Sequence, residues 1–292
     1  MNRPTSSGSL LSRLSTLLKR SENNSTAFSP KSIAQHVQLP FAGLAIPNQS
    51  IGWKNNLNFE HLYDLPRSAL SGPVQEDKAD AHALLAKLVT KTVDTEHTID
   101  LRDIYGISES LTGIESLPAL ENLAASEQCR HIRIISYRDF EKTITHAIPH
   151  FLSEQPLNLR QANWLGPQLF WAVEQHSYEF ACAVVYARRR GLDLPKRTNI
   201  SRYSLNVDVL HSLQKNYHAL IMPEQAWNDR EFMAILLESG SPYARLALTK
   251  NPAPSEVLLL PKHKPLSDNL GKGLRLAGAY DASDILLQLA KQ

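Results

Sequence analysis

Residues 161–192 read QANWLGPQLFWAVEQHSYEFACAVVYARRRGL, and the fold turns on how this stretch is parsed. Leu169, Phe170, Trp171, Ala172 and Val173 form a short apolar run between Pro167 and the polar residues Glu174, Gln175 and His176. A run that short and that aromatic predicts a buried strand over 168–173. Residues 174–177 predict a turn, because turn backbone needs solvent or side-chain partners. From 178 the period changes: Phe180, Val184 and Ala187 share one helical face, Ala181 and Val185 the next. That wide stripe predicts a helix over 178–190 buried against a sheet. Ser177 or His176 is the expected N-cap. Glu179 falls where negative charge suits the helix dipole, and Arg188, Arg189 and Arg190 fall where positive charge does. Gly191 supplies the residue that ends the helix.

Working outward, the same reading predicts helices over 76–89, 116–126, 138–152 (broken near Pro149), 207–217 (capped by Asn206), 225–238 and 281–291 (capped by Asp281 or Ser283). It predicts strands over 97–104, 131–137, 202–205, 218–222, 243–248 and 256–260. The strand over 131–137, HIRIISY, rests on the β-branched character of Ile132, Ile134 and Ile135. Residues 270–279, LGKGLRLAGA, have no Walker spacing and no Ser or Thr after the lysine, so they read as a structural loop. Strands interleaved with helices predict an α+β (mixed α/β) fold: one globular domain over 51–292, with a mixed sheet flanked by helices. Residues 1–50 are set apart as a basic amphipathic segment, with Leu10, Leu11, Leu14, Leu17 and Leu18 at helical spacing, followed by a flexible linker or arm.

Composition narrows the function classes. A net charge of +2 leaves no overall basic footprint of the kind nucleic-acid binding demands. Two cysteines, Cys129 and Cys182, make no disulfide framework. With no membrane-length apolar run and no secretory signal, they point to a reducing, cytoplasmic setting. A membrane-surface or partner-binding role for the N-terminal helix stays open beside a simple docking role.

Strand, acidic-polar turn and a helix opening on a small residue is how the sequence box of the ParB/sulfiredoxin-like fold looks. There the box runs roughly Asp-Gly-x-Arg-Arg-x-x-Ala. Here Glu174 stands at the Asp and Ala181 at the Ala, while Gln175, Ser177 and Tyr178 stand at the Gly and the two Arg. The resemblance implies a degenerate ParB-like core without the family's phosphate-contacting residues. The chain is also similar to an uncharacterised bacterial family known as a domain of unknown function, through NLNFEHLYDLP, RIISY, the central block and GLRLAGA. That similarity implies no activity.

Two candidate sites follow. Arg188, Arg189, Arg190, Lys196, Arg197 and Arg202 lie within fifteen positions, opposed by Asp193 alone. Guanidiniums so concentrated can hold phosphate oxygens, of nucleic acid or a nucleotide; dipole compensation on a solvated surface is the competing account. Glu174, His176 and Tyr178 offer acid–base groups at the turn, where an enzyme would act on a phosphorylated substrate. His146 and His150 are spaced as a helical metal pair, but the sequence shows no third ligand, so neither metal nor cofactor is expected. A non-catalytic binding or regulatory module is the leading expectation. An enzyme at residues 174–178, or an interaction protein addressed by its N-terminus, are the alternatives.

Overall fold

The computed structural model describes residues 28–108, 117–172, 175–250 and 252–291; Glu174 and the expected helix near the N-terminus lie outside the described residues. The longest strands, β1 (Val89–Asp100) and β5 (Pro195–Leu205), pair antiparallel from Val89 opposite Leu205 to Asp100 opposite Pro195, with a register shift between Asp94 and His97. Beside β5 runs β3 (Leu157–Ala162), parallel to it. Two short strands complete the sheet: β4 (Phe170–Trp171), antiparallel to β3, and β2 (Gly106–Ile107), parallel to β4. The order is β1-β5-β3-β4-β2. A second, antiparallel sheet has β8 (Ser255–Pro261) between β6 (Tyr217–Met222) and β7 (Ala244–Thr249).

The second sheet is buried on both faces, which is why 257–260 is apolar without a break. Val257 and Leu259 join a core drawn from both sheets, with Phe170, Tyr203 and Leu205 from the first. Leu258 and Leu260 face the other way, onto α1 (Pro30–His36), α7 (Arg230–Glu238) and α8 (Pro265–Leu276). On the first sheet, Leu159, Trp171 and Ile200 bury against α3 (Leu120–Ala124), α4 (Tyr137–Ala147) and α5 (Ser177–Arg190). With α2 (Gln75–Leu85), α6 (Val207–Asn216) and α9 (Ala282–Leu289) on the shared core, this is a single α+β domain. Glu60, in the NLNFEHLYDLP stretch, accepts from Trp53 Nε1 at 2.9 Å, Tyr203 Oη at 2.8 Å and Arg160 at 3.2 Å, tying that stretch to the first sheet.

Several expectations are corrected. The strand over 131–137 does not form. The N–H groups of Ile135 and Ser136 go to the Asp139 carboxylate, at 3.2 and 2.9 Å, instead of to a neighbouring strand. Ile135 is left 79% exposed, so β-branched character without a ladder partner does not make a strand. The expected loop over 270–279 is mostly α8. Its glycines serve close packing: a Cβ at Gly271 would stand 2.2 Å from the His218 ring, and one at Gly273 2.6 Å from Ile33 Cβ. The strand over 168–173 contracts to Phe170–Trp171. The helix after it forms as its period requires, and its closing residue Gly191 has φ 65°.

Candidate functional site

The turn before α5 faces the last turn of α4, and the local sequence explains both. α4 begins at a capping box. Ser136 Oγ accepts from Asp139 N–H, while the Asp139 carboxylate accepts from Ser136 N–H. The bond from the Ser136 hydroxyl, with those from the two backbone N–H groups, holds the Asp139 carboxyl below its usual range. Phe140, Ile144 and Ala147 take the buried face of α4, which leaves Arg138, Lys142 and His146 exposed. On the other side, Trp171 stacks on Phe180 with ring centroids 4.2 Å apart. That contact sets where α5 starts, and is worth about 0.5–1.5 kcal/mol beyond burial.

His176 occupies the N-cap position of α5 but makes no capping bond through its side chain, contrary to one of the two expected caps. Its backbone is left-handed, φ 61° and ψ 28°, which costs a non-glycine residue roughly 1–2 kcal/mol. The conformation sets its ring against that of His146, edge to face, with centroids 4.5 Å apart. Glu179 Oε1 lies 3.6 Å from His146 Nδ1 and 4.0 Å from His176 Nδ1. A groove of about 1120 Å³ opens beside them, lined by the cations Arg133, Arg138 and Lys142, the carboxylates Asp139, Glu141 and Glu179, and the histidines His131 and His146. Among the described residues, Arg133, Arg138 and Lys142 form no ion pair, unlike Arg188, Arg197 and Arg202.

Behind the corner, buried Cys129 and half-buried Cys182 face each other. The hydrogen bond from Cys182 holds the Cys129 thiol down to about 7, and the same bond pushes Cys182 up. Tyr178 is half-buried, and its carbonyl accepts a long contact from Cys129 Sγ at 4.0 Å.

The basic residues singled out from the sequence are dispersed among separate partners. Arg188 donates to Glu121 and to the carbonyls of Arg102 and Ile104, all at 2.8–2.9 Å. Buried Lys196 closes the carbonyls of His150, Phe151 and Ser153, and its burial lowers its pKa. Arg202 pairs with Asp94, and Arg197 stands 3.9 Å from both Glu96 and Glu154. Arg189 and Arg190 are exposed, Arg190 over the Tyr186 ring at 5.7 Å. The residues the sequence did not single out are Arg133, Arg138, Lys142 and, as a partner of histidines, Glu179. The partners of Glu179 are 33 positions upstream and 3 upstream; only the nearer one has a spacing that could have shown it.

Fold and corner together define a single α+β domain with a histidine–carboxylate group at the end of a groove lined by charged residues of both signs. A model for a family of unknown function, DUF6685, matches residues 94–292, a span that contains the whole corner, and the chain belongs to that family. None of the curated proteins and none of the solved structures matches the chain. No helix among the described residues is long and apolar enough to cross a membrane.

Proposed function

We propose that this chain is a non-catalytic binding or regulatory module that holds a phosphate-bearing ligand, nucleic acid foremost, at the corner between α4 and α5. The observation that carries the reading is the wall of Arg133, Arg138 and Lys142 along the groove. Of the carboxylates along the same groove, Asp139 caps α4 and Glu179 faces the two histidines, while Glu141 stands exposed with no ion pair among the described residues. Arg189 and Arg190 are exposed, whereas Arg188, Lys196, Arg197 and Arg202 are held by partners of their own. The ParB-like resemblance enters as the unit of β4, turn and α5. A second reading, an enzyme acting on a phosphorylated substrate through residues of the 174–178 turn, is favoured by the approach of His176 to Glu179.

Titration of a fluorescent oligonucleotide over a range of salt tests the proposal, because each neutralised phosphate releases counterions. Replacing Arg133, Arg138 and Lys142 together by alanine is expected to weaken binding and to make the slope of log affinity against log salt shallower by roughly 2–3. All three side chains are exposed, so the fold survives the change. No binding at low salt, or an unchanged slope in the triple variant, contradicts the reading.

A further inference from the structure

The geometry points to a binding site for a divalent transition-metal ion, zinc by donor chemistry, made by His146, His176 and Glu179. One ligand atom from each of these side chains lies within 4.8 Å of the others. In a tetrahedral zinc site with bonds of about 2.0–2.1 Å, neighbouring ligand atoms stand roughly 3.4 Å apart. The observed 3.6 Å and 4.0 Å from the histidine nitrogens to Glu179 Oε1, and a separation of no more than 4.8 Å between the histidines, close to that geometry by side-chain rotation. The two rings cross at 67° instead of stacking, which lets both present nitrogens to one point. A carboxylate and two imidazoles form the borderline nitrogen–oxygen set that zinc takes, with three protein ligands and one position left open.

The three side chains come from two elements and the turn between strand and helix, so the site is built by the tertiary fold. His176 reaches it through a left-handed backbone that a non-glycine residue holds only when its surroundings fix it. The side chains of His146, His176 and Glu179 are 60%, 39% and 22% exposed, so an ion can enter without unfolding, and its open position faces solvent at the end of the groove. A dication there offsets the charge of Glu179 and gives the cationic wall an anchor for an anionic oxygen. That last step rests on the reading of the groove as a phosphate site; the metal site itself does not.

Zinc affinity measured by competition with a chromophoric chelator, on the full chain stripped with EDTA, separates the two. His146→Ala, His176→Ala and Glu179→Gln are each expected to weaken zinc binding by more than the roughly 10–100-fold that loss of an outer partner costs. His150→Ala and His211→Ala are expected to leave it unchanged. Cobalt substituted for zinc should give the visible spectrum of a four-coordinate ion, lost in the same three variants. Their denaturation midpoints in EDTA should equal that of the parent chain, which excludes misfolding as the cause. Equal zinc affinity in the parent and the three variants, or no competition with the chelator at all, overturns the site. Oligonucleotide binding in EDTA reads the groove without the metal. Inorganic phosphate should bind the zinc form more tightly than the EDTA-treated form, and not so in His176→Ala. Zinc binding without that gain leaves the metal site standing and overturns its role as a phosphate anchor.

Discussion

His61 and His218 show how single residues tie this fold to pH. His218 is buried, with Nε2 2.9 Å from Asp268 Oδ1 and its ring against Gly271. Burial pushes its imidazole below the ordinary 6.5, more than the Asp268 carboxylate raises it. Burial likewise lowers His61, whose Nε2 meets the Ala247 carbonyl at 3.1 Å. Each ring is therefore neutral in the fold at a pH where the unfolded chain already takes up a proton. Their contribution is fully present above about pH 6.5 and declines as pH falls through the lowered folded values. The urea midpoint should thus drop as pH is taken below about 6.5, and His61→Asn should make that drop shallower. A midpoint that stays level across this window in the parent chain contradicts the assignment. His176 belongs to the same scale. It stands in the expected turn, but its left-handed backbone and its meeting with His146, 30 positions away, are not encoded by any local pattern.

At the scale of elements, what could be read from the sequence is what local chemistry decides. The apolar period of 178–190 and Gly191 gave α5 nearly to the residue. Asn206 caps α6 through bonds to the N–H groups of Asp208 and Val209, and Asp281 caps α9 through Ser283. Misread elements are those in which a partner overrides propensity. HIRIISY looks like a strand but feeds its N–H groups to the cap of α4. LGKG looks like a loop but is a helix whose glycines admit His218 and Ile33. β3 was hidden because its apolar positions, Leu157, Leu159 and Ala162, are too few to stand out. The α4 cap is a direct test of this scale, because the same box shapes the groove wall. Ser136→Ala removes the acceptor for Asp139 N–H and should cost about 1 kcal/mol in chemical denaturation, with a matching loss of protection at the first amides of α4 in hydrogen exchange. A stability equal to that of the parent chain shows that the box does not hold the helix start.

For the whole molecule, the two sheets share one core, and the candidate site lies outside it, where α4 and α5 cover the far face of the first sheet. The α+β class and the strand–turn–helix centre were legible because each follows from hydrophobic period. The candidate site is legible in part: His146 reads as half of a helical pair, His176 as a turn residue and Glu179 as a helix-dipole charge, and only folding joins the three. Charge clustering along the chain pointed to 188–202, whereas folding sends those side chains to Glu121, Asp94 and the carbonyls of 150–153. Arg133, Arg138 and Lys142 line the groove at the corner, and of the 188–202 set Arg202 lines a smaller pocket beside Tyr203. Residues far apart in sequence meet at this corner, and we propose that they hold a ligand there. Crystals of the protein grown with zinc and measured on both sides of the zinc absorption edge test it most directly. An anomalous peak is expected about 2 Å from one nitrogen each of His146 and His176 and from a Glu179 oxygen. A map with no peak at the corner, or with His146 and His176 turned away from Glu179, would contradict it.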